Sequence, residues 1–496
     1  MITVNKIPPR YPGKIKIEIR ERDLDIISRI YMIINALILP ADSPPTPEDI
    51  VHLWYSAFMP ESLDKWIRGP FYRHVEKLCR EVYQRSEVPK RLLANFIYPE
   101  VELPIPYRSD SDTMVDLTLS FPKWFRLIRL LRRKPAWKEA REARELVMAC
   151  PERLDSRQRY LARQPCGERP SHEKFAYDGI LLPYGRNRSI FTKPNFTLFD
   201  CLDDELRWIP DDTMSPEHGW SRSEFHKFHS GLARNDVLGK LYYYLVDVIT
   251  TFRDQIHSLD IKFHITHSET RHLVGPLRAD RPFDRILVSG IDENYIPIDF
   301  TGWLGTFLKP SNPHATLIAP YRQPLKCPDI LCGGGDIFCF HEIFKCDRTN
   351  LPGKCTDKDY NTLQAREVEF LEGDNFERIF TTYLPLFYRP TRLWRGIDLL
   401  LSRNLSLDVF GGDWRTGGID VKKTNTIVEQ WPYRSVKKGS RRIGASGNMQ
   451  AYLAEDRYPA LRYIEWERVG DPDPDILDSQ SIEDGLCYRH WWGSVR

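Results

Sequence analysis

The stretch that most constrains the fold is "GKIKIEIRERDLDIISR" at residues 13–29. Residues 14–19, "KIKIEI", alternate apolar and polar side chains, the period of a strand with two unlike faces. The polar "RERD" stops the strand. From Leu24 to Leu39 the apolar residues Ile26, Ile30, Ile33, Ile34 and Leu37 then recur at helical spacing. The reverse order follows later in the chain. "NDVLGKLYYYLVDVITTFRDQI" at 235–256 reads as a helix with Asn235 as its cap, and it leads into the strand "IKFHIT". "FDRILVSGIDENYIPID" at 283–299 begins as a buried strand and breaks into an acidic loop. "TGWLGTFL" at 301–308 reads as a short helix and "PHATLIAP" at 313–320 as a second strand. Strands and helices in this succession predict an α/β fold.

Between these units, "PADSPPTPED" at 40–49 is a breaker-rich loop. A helix is expected to start near Pro47, with Glu48 and Asp49 in its first turn. "KWFRLIRLLRR" at 123–133 is basic and amphipathic, with Trp124, Leu127, Ile128 and Leu131 on one face. Pro135 interrupts it, and a second helix continues from there. Residues 165–225 read as loops with few strands, 361–405 as helical, and 411–450 as loop.

Whole-chain composition excludes little. The 496 residues allow two or three domains. A hydrophobic content of 41% and a formal charge of only +2 give no footprint for nucleic acid or membrane. The first residues lack an apolar core of signal-peptide length. "IYMIINALIL" at 30–39 is too short to span a bilayer. The expectation is a cytoplasmic protein whose ten cysteines are reduced thiols and whose three sequons, at Asn187, Asn195 and Asn404, are chance. Charge is local instead: residues 120–170 hold 14 Lys/Arg against 6 Asp/Glu.

In open α/β sheets, ligands bind at the carboxyl ends of the strands. An acid just beyond such a strand can accept hydrogen bonds from ribose hydroxyls. Glu21 and Asp23 occupy that place after "KIKIEI". Ser289, Asp292, Glu293 and Asn294 occupy it after "RILV". Two such strand ends suit a nucleoside-type ligand. The alternative is that the acids cap the helices that follow.

Several segments resemble the fungal family known as domain of unknown function 4470, related to the amino-terminal domain of dynein axonemal assembly factors. They are "GKIKIEIRERDLDIISR" (13–29), "HLWYSAF" (52–58), "GILLPYG" (179–185), "KPNFTLFD" (193–200), "HGW" (218–220), "DVLGKLYYYL" (236–245), "FDRILVSGI" (283–291) and "NPHATLI" (312–318). The resemblance implies a methyltransferase-like, Rossmann-type sheet. "IEIRE" would be its second strand, with Glu21 at the ribose position, and "FDRILVSGI" and "ATLIAP" its fourth and fifth. Such a sheet needs a first strand and a glycine-rich turn, and "MITVNKIPPRYPG" supplies no such turn. The family's Asn-Asp pair is replaced here by Arg20-Glu21. The expectation is therefore a sheet incomplete at its first strand, either through a missing amino-terminal segment or because the family tolerates loss of the cofactor site. "DILCGGGD" at 329–336 could stand in for the glycine turn in a permuted order, or be a plain glycine loop.

The resulting division is a methyltransferase-like α/β region over 1–325 with a mainly helical and loop insertion at 60–230. A Cys/Gly-rich loop at 326–360 and a helical or mixed annex at 361–496 follow. Residues 1–60 and 230–325 are expected to share one sheet.

Two further constellations carry chemistry. Cys327, Cys332, Cys339, His341 and Cys346, with Cys355 beyond, are spaced C-x4-C-x6-C-x-H-x4-C-x8-C. They could ligate zinc, although no C-x2-C knuckle is present. His226, His229, His264, His267 and His272 cluster without a second supporting feature, and alternation along "IKFHIT" turns His264 away from Phe263 and Ile265. The aromatic "LYYYL" and "HLWYSAF" read as core. The reading favours no cofactor, with S-adenosylmethionine as the alternative ligand and zinc as the candidate metal. It favours protein partners, no specific nucleic acid, and peripheral contact through the basic helix 123–133. Function is expected to be interaction or assembly on a degenerate scaffold; the alternative is a methyltransferase.

Overall fold

The structure, a computed structural model, describes residues 1–39, 43–85, 102–108, 113–150 and most of 151–267. Beyond these it describes 282–288, 298–322, 417–428 and 461–472. The chain forms two compact units, residues 1–269 and 270–496.

In the first unit, α1 (Ile2–Asn5) precedes β1 (Ile15–Glu21), which runs into α2 (Leu24–Ile38). α3 (Pro47–Tyr55), β2 (Phe58–Met59) and α4 (Glu61–Trp66) follow. A π-helical turn at Ile67–Phe71, around Pro70, joins α4 to α5 (Tyr72–Arg85). Next come β3 (Glu102–Arg108), β4 (Met114–Ser120), α6 (Phe121–Arg132), α7 (Trp137–Met148) and α8 (Arg169–Asp178). β5 (Lys193–Pro194), β6 (Phe199–Leu202), β7 (Glu205–Trp208), α9 (Arg222–Phe225), α10 (Val237–Ser258) and β8 (Ile261–His267) complete the unit.

The main sheet has the order β1-β8-β4-β3. β1 and β4 both pair in parallel with the central β8, and β3 is antiparallel to β4. The fold is thus mixed α/β with three parallel strands. β4 joins this sheet from inside the segment expected to be a mainly helical insertion. Its "MVDLTLS" alternates weakly, because Asp116 is buried along with its apolar neighbours.

Side-chain alternation gives the sheet two faces. Val115, Leu117, Leu119, Ile261, Phe263 and Ile265 are buried in one core with residues of α2, α5, α6 and α10. Parallel sheets are ordinarily covered on both faces. Here the opposite face carries Lys16, Glu18, Arg20, Asp116, Lys262 and His264. His264 lies opposite Phe263 and Ile265, as the alternation predicts.

Helix starts follow their local chemistry. α3 begins at Pro47 behind a capping box in which Thr46 and Asp49 bond reciprocally, a device worth about 1 kcal/mol. α10 is capped by Asp236, whose Oδ1 accepts from the Gly239 amide, one residue beyond the Asn235 expected. A stripe on α2 points inward, and from Tyr31 to Ile38 every residue is buried, while Ile26 is 40% exposed. On α6 the apolar stripe of Trp124, Leu127, Leu130 and Leu131 is core.

In the second unit, β9 (Arg285–Leu287) and β10 (Thr316–Arg322) are parallel neighbours on either side of α11 (Ile298–Thr306) in the sequence. β12 (Leu461–Arg468) is antiparallel to β10, and β11 (Ile419–Val421) is antiparallel to β12. The sequence reading set β9 and β10 in one sheet with β1. The observed pairing places them in a separate sheet of order β11-β12-β10-β9. The neighbour that β10 takes is "LRYIEWER", read from sequence as part of a helical or mixed annex. Its Ile464 and Trp466 enter a core with Trp303, Phe307, Leu317 and Ile419. Gly417 is needed there: a Cβ would lie 2.0 Å from the Gly302 carbonyl oxygen.

Candidate functional site

Three parallel strands end together at one edge of the main sheet. Glu21 at the end of β1 is in register with His267 at the end of β8, and Thr118 of β4 with Thr266. β1 and β4 each lead directly into a helix, so the amino ends of α2 and α6 open at this same edge, where backbone N–H groups lack helical partners. α6 follows Ser120 without a side-chain cap.

Two of the acids singled out in the sequence, Glu21 and Asp23, are here and are engaged locally. Glu21 Oε1 accepts from the Arg22 amide at 2.8 Å and from the Asp23 amide at 3.0 Å. Asp23 Oδ1 accepts from the amides of Asp25 at 2.8 Å and Ile26 at 3.2 Å, capping α2. The capping alternative therefore describes Asp23. From α6, Lys123 Nζ donates to His267 Nδ1 at 2.8 Å, and Arg126 lies 3.8 Å from Asp25.

Behind the edge, the polar face of the sheet is a ladder of opposite charges. Asp116 Oδ2 accepts from Lys262 Nζ at 3.0 Å and His264 Nδ1 at 2.9 Å. Burial opposes ionisation of Asp116, but these two bonds outweigh it and hold its carboxyl below the usual range. Glu18 behaves alike. Desolvation is outweighed by Lys16, which bonds to it, and by the charges of Arg20 and His264.

Ser289 and Asp292, with Glu293 and Asn294, lie outside the described residues. So do His272 and the zinc candidates Cys327, Cys332, Cys339, His341 and Cys346, with Cys355. The edge thus unites Glu21, Asp23 and His267, and adds Lys123, which sequence reasoning missed. The missed signal was the β4–α6 junction, a second strand running into a helix.

A second polar cluster was not foreseen. Arg222 Nη2 pairs with Glu168, its Nη1 lies 3.8 Å from Glu217, and its Nε donates to His226 at 3.0 Å. His172 Nε2 lies 3.9 Å from Glu217. Burial raises the Glu217 and Glu168 carboxyls and lowers both imidazoles to about 4, with the Arg222 charge adding to the imidazole shifts. Glu217 is 4% exposed and Glu168, half-buried, is paired with Arg222, so both carboxylates of this cluster are committed to holding its segments together.

The segments that carry the family resemblance meet nearby. Asn195 of "KPNFTLFD" donates from Nδ2 to the carbonyls of His52, Leu53 and Ser56 in "HLWYSAF". Ser56 Oγ accepts from the Leu181 amide of "GILLPYG". Trp220 of "HGW" donates to the Tyr55 hydroxyl at 2.7 Å, and Asp236 of "DVLGKLYYYL" accepts from the Tyr184 amide. These are bonds of architecture, those of Asn195 and Ser56 buried and those of Trp220 and Asp236 part-buried. Asn195, part of a sequon, is fully buried.

Comparison with family models, with curated proteins and with solved structures found no match to this chain. Among the described residues no group of three or more His, Cys, Asp or Glu is placed to hold a metal. No described helix is long and apolar enough to cross a membrane.

Proposed function

We propose that the protein is a non-catalytic interaction or assembly factor, cytoplasmic, built on an α/β scaffold that resembles methyltransferases. The observation that carries this reading is the state of Glu21 and Asp23. Each directs a carboxylate oxygen at two backbone amides of its own turn. A ribose at this strand end would compete with tethered donors already in place. The charges behind the edge are likewise paired with one another.

A methyltransferase using S-adenosylmethionine is the second reading. Glu21 favours it in one respect: its Oε2 accepts no bond from the described residues, which leaves one oxygen for a hydroxyl. A panel of S-adenosylmethionine, S-adenosylhomocysteine, ATP and NAD separates the two by thermal unfolding. A ligand at 100 times its Kd stabilises the native state by about 2.7 kcal/mol. The interaction reading expects no rise in Tm with any of the four, and a rise with either S-adenosyl compound would instead support the enzyme.

A further inference from the structure

α5 and α6 pack together, and Cys79 Sγ donates to the Trp124 carbonyl between them. Val75, Leu78, Trp124, Leu127, Leu130 and Leu131 face the core. The outward sides carry Arg73, Lys77 and Arg80 on α5 and Arg126, Arg129 and Arg132 on α6, all exposed. Compensation is partial. Arg80 lies 3.5 Å from Glu76, Arg126 lies 3.8 Å from Asp25, and Arg132 bonds the Tyr72 hydroxyl. Arg73, Lys77 and Arg129 have no hydrogen-bond or ion-pair partner among the described residues.

We propose that this two-helix surface docks an acidic polypeptide segment of a partner protein. The proposal rests on the interaction reading above and names the chemistry of the partner. Three observations select this occupant. The apolar stripe of α6 is core, so the helix has no free face to lay into a bilayer. With that stripe held, α6 does not stand clear of the fold as a helix must to enter a duplex major groove about 12 Å wide. Single strands bind on successive stacked aromatics. On the outward sides of these helices Phe125 is the exposed large aromatic among the described residues.

The spacing fits carboxylates. Arg126, Arg129 and Arg132 step along α6 at about 4.5 Å of axial rise each. Acids one turn apart on a partner helix lie about 5–6 Å apart. Guanidinium forks grip carboxylates in pairs of parallel hydrogen bonds.

The test is fluorescence anisotropy of the full chain with a fluorescein-labelled peptide of alternating Asp and Glu. A single-stranded oligonucleotide of equal charge and vesicles of phosphatidylcholine with phosphatidylserine are the comparators. Arg129→Gln with Lys77→Gln removes two unpaired charges, and far-UV circular dichroism checks the fold. The proposal expects the peptide to bind more tightly than either comparator, the double variant to weaken it by about 5-fold or more, and salt to weaken it further. Arg129→Lys keeps the charge but loses the fork, so it should weaken binding less than Arg129→Gln without restoring the wild-type affinity. No peptide binding, an unchanged affinity in the folded double variant, or a preference for oligonucleotide or vesicle would overturn it. Because nucleoside binding is read by a different ligand, failure here leaves the interaction reading to its own test.

Discussion

Asp116 on β4 and His264 on the adjacent β8 are register partners, and their side chains meet at 2.9 Å on the polar face of the sheet. A parallel strand pair thus devotes a cross-strand contact to a carboxylate–imidazole hydrogen bond where a doubly covered sheet would place apolar side chains. The pair sets a pH dependence. Asp116 has a depressed carboxyl in the folded state. Its stabilisation is therefore present above the unfolded value and is lost as pH falls through the folded one. Asp116→Ala should cost about 1–2 kcal/mol at pH 7 by urea denaturation. The gap between variant and wild type should begin to narrow as pH falls below about 4, the unfolded value, and keep narrowing towards the lower folded one. An equal gap at pH 3 would contradict the assignment.

Glu217 behaves in the opposite sense. Burial raises its carboxyl despite Arg222, so its ionisation disfavours the native state as pH rises through the folded value. Glu217→Gln should therefore be stabilising at pH 8 and close to neutral at pH 4. Destabilisation that deepens with pH would show that the Arg222 contact outweighs desolvation.

The core role of α6 predicts an asymmetry between neighbours. Trp124 is fully buried and Phe125 is 41% exposed. Trp124→Ala should cost about 3–5 kcal/mol, whereas Phe125→Ser should stay within about 0.5 kcal/mol. Chemical denaturation of both variants checks this.

Asn195 joins α3 to the 193–200 segment through three carbonyls, and it lies at 0% exposure. Asn195→Ala leaves those carbonyls short of donors and should cost about 2–3 kcal/mol. Because the amide is fully enclosed, the native protein should carry no glycan there, a point that mass spectrometry of secreted expression material would check.

The parts legible in the sequence were those with strong local periodicity. β1, α2, α3, α10 and β8 stand where alternation, helical spacing and capping residues place them. β4 was not recognised because a buried Asp116 breaks its apolar pattern, and its partner His264 is close only in space. β12 was missed because Glu465, fully buried, reads as a surface acid. It is held by the amides of Thr426, Ile427 and Val428 and by Lys422. The candidate site was half legible. Glu21 and Asp23 were found from their place after a strand, but the backbone amides that occupy them are contacts of turn geometry, which residue spacing does not encode. Lys123 and His267 come together across 144 residues, and no local pattern links them.

The central claim is that the strand end at Glu21 serves the fold and not a nucleoside. The most direct measurement is calorimetric titration of the full chain with S-adenosylmethionine, repeated with Glu21→Ala. The account predicts no binding heat in either protein. Binding at micromolar strength that Glu21→Ala abolishes would contradict it and assign the carboxylate to a ribose.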